Sequence, residues 1–408
     1  MQNRNWVKVA AVAAAGALVL TGCSSSSKKK TTNSAGGLGA STGSSGAAAA
    51  QSYKIGFIGA LSGPNAQLGI NERDGATLAI DQANASGKFK FKIVLDAQDS
   101  EGDPAKAPAA ATALINDPAV IAVIGPAFSG ESKAVNPSFC KATPPVPTVT
   151  ASASNAQLQT QGNKCWHRII PNDNVEGSQG ADWLARTGAK KVFVLSDLST
   201  YGAGVAGTMA AELKAKHVKV VKGGVDGVTT KNYGPIAQTI AASGADAIFY
   251  GGYDAQAALL AKALKAAGFK GRTVTGNGGK SSIFTKGAGA AGEGWYFTCG
   301  CQDATTAAPA KAFAAAYQTA FKTAPSTYSP EAYDAANLLI DTISKASATA
   351  PATRTSVLTA LNAENFKGVT TQIAFQANGE LKTTSLIVNL FQEKKGAITG
   401  LGNIKQIK

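Results

Sequence analysis

From Tyr53 onward, short apolar runs alternate with alanine-rich segments of helical length, and this alternation constrains the fold more than any other feature of the chain. Strand candidates lie at 54–61, 91–95, 120–125, 146–150, 192–196, 216–221, 245–250, 273–276 and 294–298. Helical segments lie at 69–84, 105–116, 177–186, 202–214, 255–267, 308–321, 331–345 and 353–362. Strands separated by helices of about 10–15 residues pair in parallel through βαβ units. Ile55–Leu61 shows no polar alternation, which predicts a strand buried on both faces. Gly188, Gly244 and Gly268 close alanine-rich runs in the manner of glycines just past a helix end. So many elements exceed one core. The expected fold is α/β, with two doubly wound parallel-sheet lobes.

The first fifty residues read differently. Arg4 and Lys8 precede a 12-residue apolar run, Val9–Leu20. That is short of the roughly 20 residues a membrane-spanning helix needs, and suits a signal-peptide core. Leu20-Thr21-Gly22-Cys23 resembles the lipobox of bacterial lipoproteins, in which the cysteine sulfur carries a diacylglyceryl group. Residues 1–22 are therefore expected to be a signal peptide, with lipidated Cys23 opening a flexible linker to residue 50. The Ser/Gly/Ala/Thr-rich stretch after Cys23 would reach about 30 Å. The expected location is the extracytoplasmic face of a bacterial membrane.

With Cys23 lipidated, four cysteines remain, an even number for an oxidising compartment. Cys140 and Cys165 flank a proline-rich stretch and are expected to be bridged. Cys299 and Cys301 form a CxC, which either closes a tight loop or stays reduced. The net charge is +14, but five cations precede residue 50, where no acid occurs, leaving +9 on the body. No Lys/Arg block there resembles a nucleic-acid stripe, so no nucleic-acid partner is expected. The histidines are His167 and His217, too few for a His-rich metal site, and no metal or cofactor is expected.

HExxH, GxSxG and a P-loop are absent; Gly279-Lys280-Ser281 imitates a P-loop tail, but position 274 is valine. An enzyme is not expected. Gly202-Ala203-Gly204-Val205-Ala206-Gly207 matches GxGxxG, with Asp226 further on. Its first glycine lies about five residues past the strand, too far for the dinucleotide turn, so helix packing on the sheet is the favoured reading. A ligand cleft fits better. In doubly wound folds, loops after strand C-termini and the helix N-termini behind them face the crevice. Ser129, in Gly125–Gly130, and Ser152-Ala153-Ser154 occupy such loops and offer hydroxyl and amide donors to an anion, although each also suits a plain helix cap. Tyr201 and Tyr253 hold equivalent places in the second half, where their rings would cover an apolar group.

Tyr53–Pro64, Val123-Ile124-Gly125, Thr150–Ser154, Ser196–Gly202 and Phe249–Tyr253, in that order, resemble blocks of the leucine/isoleucine/valine-binding protein family. The resemblance spans about residues 53–400. Members are substrate-binding components of ABC importers with a type I periplasmic-binding fold. The resemblance implies lobe 1 at 53–173 plus 301–384 and lobe 2 at 174–300 plus 385–408, joined by a three-strand hinge, with Leu386–Phe391 returning as a strand. It implies that Ser129, the Ser152–Ser154 backbone and the Ser154 hydroxyl bind an α-carboxylate. Tyr201, Tyr253 and Tyr333 would line the pocket, and Leu68 stands where amino-acid binders place an aromatic. The implied function is capture of a branched-chain amino acid or related small carboxylate for ABC permease subunits, by a monomer. An amide, urea-like or aromatic-acid ligand, and a ligand sensor for a partner receptor, are the alternatives.

One family feature is missing. The loop that supplies an acid for the α-ammonium reads Gly276-Asn277-Gly278-Gly279 here, without a carboxylate. An unpaired buried ammonium costs several kcal/mol. Asp254 would supply the charge from a neighbouring loop, or cap its helix.

Overall fold

The computed structural model describes residues 51–305, 307–382 and 386–408. The signal peptide, Cys23 and the linker expected before residue 50 lie outside the described residues. The continuously apolar runs become parallel strands. In the first sheet β1 (Gln51–Gly59) is flanked by β2 (Phe91–Asp99) and β3 (Val120–Ile124), followed by β4 (Thr148–Thr150) and β5 (Trp166–Arg168), in the order β2-β1-β3-β4-β5. Every pairing in it is parallel. All five residues of β3 are buried, as covering on both faces requires. One face carries α1 (Ala66–Ser86), α10 (Ser329–Ala346) and α11 (Arg354–Asn362); the other carries α2 (Ala107–Asn116) and α3 (Ser129–Lys141).

The second sheet runs β14-β13-β10-β9-β8-β6-β7. Its parallel part is β6 (Lys191–Ser196), β7 (Lys219–Gly224), β8 (Ala247–Gly251), β9 (Arg272–Thr275) and β10 (Tyr296–Cys299). β13 (Asn389–Lys394) returns antiparallel to β10, and β14 (Ala397–Asn403) closes the edge antiparallel to β13. Helices α4 (Asp173–Arg186) and α5 (Thr200–Ala215) cover one face; α6 (Gly234–Ala242), α7 (Asp254–Ala266) and α8 (Ser282–Ala288) cover the other. After α9 (Lys311–Phe321), α10 and α11, the hairpin β11 (Asn365–Lys367) and β12 (Gln372–Ala374) stands apart as a two-stranded sheet. The chain passes between the two lobes after β5, after β10 and between β12 and β13. This is the α/β fold of two parallel-sheet lobes that the alternation predicts.

Local signals explain the boundaries. Gly188, Gly244 and Gly268 all take positive φ. The Asn172 side chain accepts from the amides of Asn174 and Val175 to cap α4, and Ser199 accepts from Gly202 to cap α5. The GxGxxG run lies inside α5. A Cβ on Gly202 would stand 2.5 Å from the Gly251 carbonyl oxygen, so the first glycine serves helix–strand packing. Several elements escape the sequence reading. β5, β11 and β12 are only three residues long, α6 and α8 are short, and β14 is interrupted by Gly400 and Gly402, so none presents a long periodic pattern. Among the described residues no helix is long and apolar enough to cross a membrane.

Both cysteine pairs are bridged, with Cα separations of 5.3 Å for Cys140–Cys165 and 5.0 Å for Cys299–Cys301. The first ties the end of α3 to the residue preceding β5. A 25-residue closure restricts the unfolded chain, so replacing both cysteines by serine is expected to cost about 2–4 kcal/mol. Urea unfolding checks this; an unchanged midpoint and slope would remove the stabilising role.

Candidate functional site

Parallel strands end together, and the loops past the C-terminal ends of β3, β4, β6, β8 and β9 converge between the lobes. They surround, with α1 and the start of α10, a small, nearly closed cavity lined by Leu68, Glu72, Ala127, Phe128, Ser129, Ser152, Tyr201, Tyr253, Asn277, Gly278 and Tyr328. The lobes touch around it. The rings of Phe128 and Tyr253 lie 5.2 Å apart, and Asn155 donates its Nδ2 hydrogen to the Thr200 carbonyl at 2.7 Å. Lys280 Nζ donates to Thr327 Oγ1 at 3.1 Å. Tyr201 packs on Tyr253 at 5.3 Å, so one wall is aromatic.

Of the predicted site residues, Leu68, Ser129, Ser152, Tyr201, Tyr253 and Asn277 come together in this lining. Ser129 opens α3, and its hydroxyl accepts from the Asn155 amide at 3.1 Å. Ser152 donates to the Ala127 carbonyl at 2.6 Å. Ala153 and Ser154 sit just behind the lining. Buried Arg168 donates to the carbonyls of Ala153 at 3.0 Å and Asn155 at 2.9 Å while pairing with Glu380, so one guanidinium holds this loop.

Two predicted residues lie elsewhere. The Asp254 carboxylate accepts from Ser281 Oγ and from the Ala255 amide, tying α7 to the start of α8 instead of reaching the cavity. Burial raises its pKa to about 6. Tyr333 faces α1 and α9, donating to Gln82 at 2.7 Å and packing 5.0 Å from Phe313. Its place in the lining is taken by Tyr328, which precedes α10 in the left-handed region at φ 67°.

Sequence reading also passed over Glu72, Phe128, Gly278 and Glu176. Glu72 was detectable: it follows Leu68 by four residues on a helix, hence on the same face. It is 1% exposed, and its Oε2 has no hydrogen-bond partner. Burial pushes its pKa well above the usual carboxylate range; the Ser152 hydroxyl opposes this, and Glu131 and Glu331 add to it. Tyr328 Oη is likewise buried without a partner. Two orphan polar atoms in one cavity indicate a place for a guest. The lining contains one acid and no Lys, Arg or His.

Position 278 cannot carry the missing acid. A Cβ there would stand 2.6 Å from Tyr201 Cε1, 2.9 Å from the Gly252 carbonyl oxygen and 3.1 Å from Tyr253 Cδ1. A carboxylate does lie one layer behind: Glu176, on α4, accepts from the Asn277 amide at 3.0 Å, from Asn277 Nδ2 and from Thr298 Oγ1 at 2.8 Å. Burial raises its pKa to about 7 against these bonds. Among the described residues no group of three or more His, Cys, Asp or Glu could hold a metal.

Fold and cavity together define a solute-binding protein of the type I periplasmic-binding class, not an enzyme. The chain belongs to the periplasmic binding protein family, matched over residues 52–396. A leucine-, isoleucine-, valine-, threonine- and alanine-binding protein of Pseudomonas aeruginosa is 29% identical over 346 residues, 83% of this chain and 90% of the relative. The branched-chain amino acid transporter substrate-binding protein LivJ of Streptococcus pneumoniae, solved with isoleucine, superposes with a TM-score of 0.77 at 26% identity, covering 86% of this chain and all of that one. A solute-binding protein of an R. palustris ABC transporter, solved with benzoate, has a TM-score of 0.77 at 21% identity, covering 86% of this chain and 96% of that one, and shares the fold. Membership of this family implies an extracytoplasmic location.

Asp173, at the start of α4, has both carboxylate oxygens buried without partners, and its pKa is raised to about 8 by burial, with Glu176 adding and Ser154 and Arg168 opposing. The folded state therefore keeps a proton that the unfolded chain, near 3.8, releases. Its contribution is full below that value and is lost as pH rises through about 8. Melting temperature is expected to fall from pH 6 to pH 9, and Asp173→Asn to flatten that fall and add about 1–3 kcal/mol at pH 9. An identical slope in the variant would refute the assignment.

Proposed function

We propose that the protein is the lipid-anchored solute receptor of an ABC importer, capturing a branched-chain amino acid or related small carboxylate between its lobes and presenting it to the permease. Glu72 carries this reading: a buried carboxylate with a free oxygen, alone among hydroxyls, aromatic rings and one amide, suits a ligand that brings its own positive charge. An incoming α-ammonium would pair with Glu72, and pairing would draw its pKa back down. The α-carboxylate would lie toward Ser129 and Ser152, at the N-terminal end of α3, where helix amides and hydroxyls favour an anion. Leu68, Phe128 and the tyrosine rings would enclose the aliphatic side chain. The leucine, isoleucine and valine ligands of the relatives support the same class. Cys23 would hold the receptor at the membrane, with the stretch to residue 50 as tether. Lobe separation about the three crossings would admit and release the ligand.

A melting-temperature screen pairing leucine, isoleucine and valine with their des-amino acids and amides tests this. A ligand at 100 times its Kd adds about 2.7 kcal/mol, well within resolution. The amino acids should stabilise the protein, the des-amino acids should not, and Glu72→Gln should abolish the shift without unfolding the chain. Stabilisation by des-amino acids or amides alone would overturn the amino-acid assignment.

A further inference from the structure

We infer that Glu176 is a positioning residue that sets the hydrogen-bonding polarity of the cavity by holding the Asn277 side chain with its carbonyl end, and not its NH2 end, available to the ligand. The inference rests on the reading above that a nitrogen-bearing solute occupies the cavity, and it names the group that receives that nitrogen beside Glu72.

The argument is one of donor and acceptor count. Burial raises the Glu176 pKa to about 7, and above that pH it takes the ionised form, in which a carboxylate only accepts. Glu176 Oε1 accepts from the Asn277 backbone amide at 3.0 Å and from Thr298 Oγ1 at 2.8 Å, and Oε2 accepts from Asn277 Nδ2. With one Nδ2 hydrogen held by Glu176, the amide is oriented with its carbonyl end away from that carboxylate, and Asn277 lines the cavity. Against the ionised carboxylate an amide flip would set Oδ1 against Oε2, two acceptors with no proton between them, so above about pH 7 the carboxylate permits one orientation. The surroundings leave little freedom for another arrangement. A Cβ on Gly276 would stand 2.8 Å from Glu176 Oε1, and the Gly278 amide donates to Tyr201 Oη at 3.1 Å, which fixes the loop on both sides of Asn277. The loop without an acid thus becomes a neutral acceptor of N–H groups, while the carboxylate that orients it stays behind the wall. The favoured ligand chemistry is an ammonium or primary-amide nitrogen directed at Asn277, and a ligand presenting only acceptors there is rejected.

Glu176→Gln provides the test because it preserves shape and changes one acceptor into a donor. With Gln Oε1 still accepting from the Asn277 amide and Thr298, Gln Nε2 takes the place of Oε2 and forces Asn277 to flip, turning Nδ2 toward the cavity. Titration calorimetry with leucine and 4-methylpentanoate should show leucine affinity falling at least tenfold and the preference for leucine over the des-amino acid shrinking by a similar factor. In an Asn277→Ala background, Glu176→Gln should have no further effect on that preference, since the carboxylate acts through the amide. A Glu176→Gln protein with the wild-type ratio, or one whose effect persists without Asn277, would overturn the inference. Nitrogen-15 spectra of the ligand-free protein supply a readout independent of ligand identity. One Asn277 Nδ2 proton should be shifted downfield by the carboxylate and move upfield in Glu176→Gln; identical positions in both proteins would also overturn it. Wild-type protein that binds no leucine but shows this spectral change would sink the amino-acid reading and leave the Glu176–Asn277 device standing.

Discussion

Parallel strand pairing is the constraint on which the site depends. Each βαβ unit returns its chain to the same sheet edge, so β3 and β4 in one lobe and β6, β8 and β9 in the other release their loops at C-terminal ends. Helices begin directly after several of those loops, α3 at Ser129, α5 at Thr200 and α7 at Asp254. Their first-turn amides lack partners within the helix. Two such edges set against each other make a crevice with donors on both sides before any specific ligand is considered.

Within that crevice, burial is used unevenly. Arg168 is the cation that closes its local account, joining Glu380 to the carbonyls of Ala153 and Asn155. Asp173, Glu131, Glu331 and Glu176 are buried acids whose pKa values burial raises to about 7 or 8. Glu131 and Glu176 are satisfied by neighbouring donors, while Asp173, Glu331 and Glu72 keep unpaired oxygens. Of these three, Glu72 is the one in the cavity lining. Leaving a buried acceptor unpaired costs about 1–3 kcal/mol, which a ligand with N–H donors offsets.

Much of the fold was legible because its strongest signals are local. The wholly apolar β3 and β8 and the glycines at 188, 244 and 268 each announce their structure within a few residues. Leu68, Ser129, Ser152, Tyr201, Tyr253 and Asn277 were legible because each lies on an element next to a strand end, or on the helix that follows one. Tyr333 was misplaced and Tyr328 overlooked because the turn into α10, with Tyr328 at φ 67°, decides which tyrosine faces the cleft. Asp254 looked like a ligand for the opposite reason: its position at the crevice edge is right, but Ser281, 27 residues away, claims its carboxylate.

The sequence by itself determined the class of architecture, the two-lobe division and the disulfide-permissive character of the chain, because periodicity, helix stops and cysteine number are properties of segments. Only the tertiary structure decided the character of the site. The Tyr201 and Tyr253 rings leave no room for a side chain at position 278, while the carboxylate in the cavity lining is Glu72 on α1 and Glu176 stands behind Asn277. The physical reason is that a side chain's charge, orientation and free hydrogen-bonding capacity depend on partners distant along the chain, as Asp254 and Ser281, 27 residues apart, and Glu176 and Asn277, 101 residues apart, illustrate.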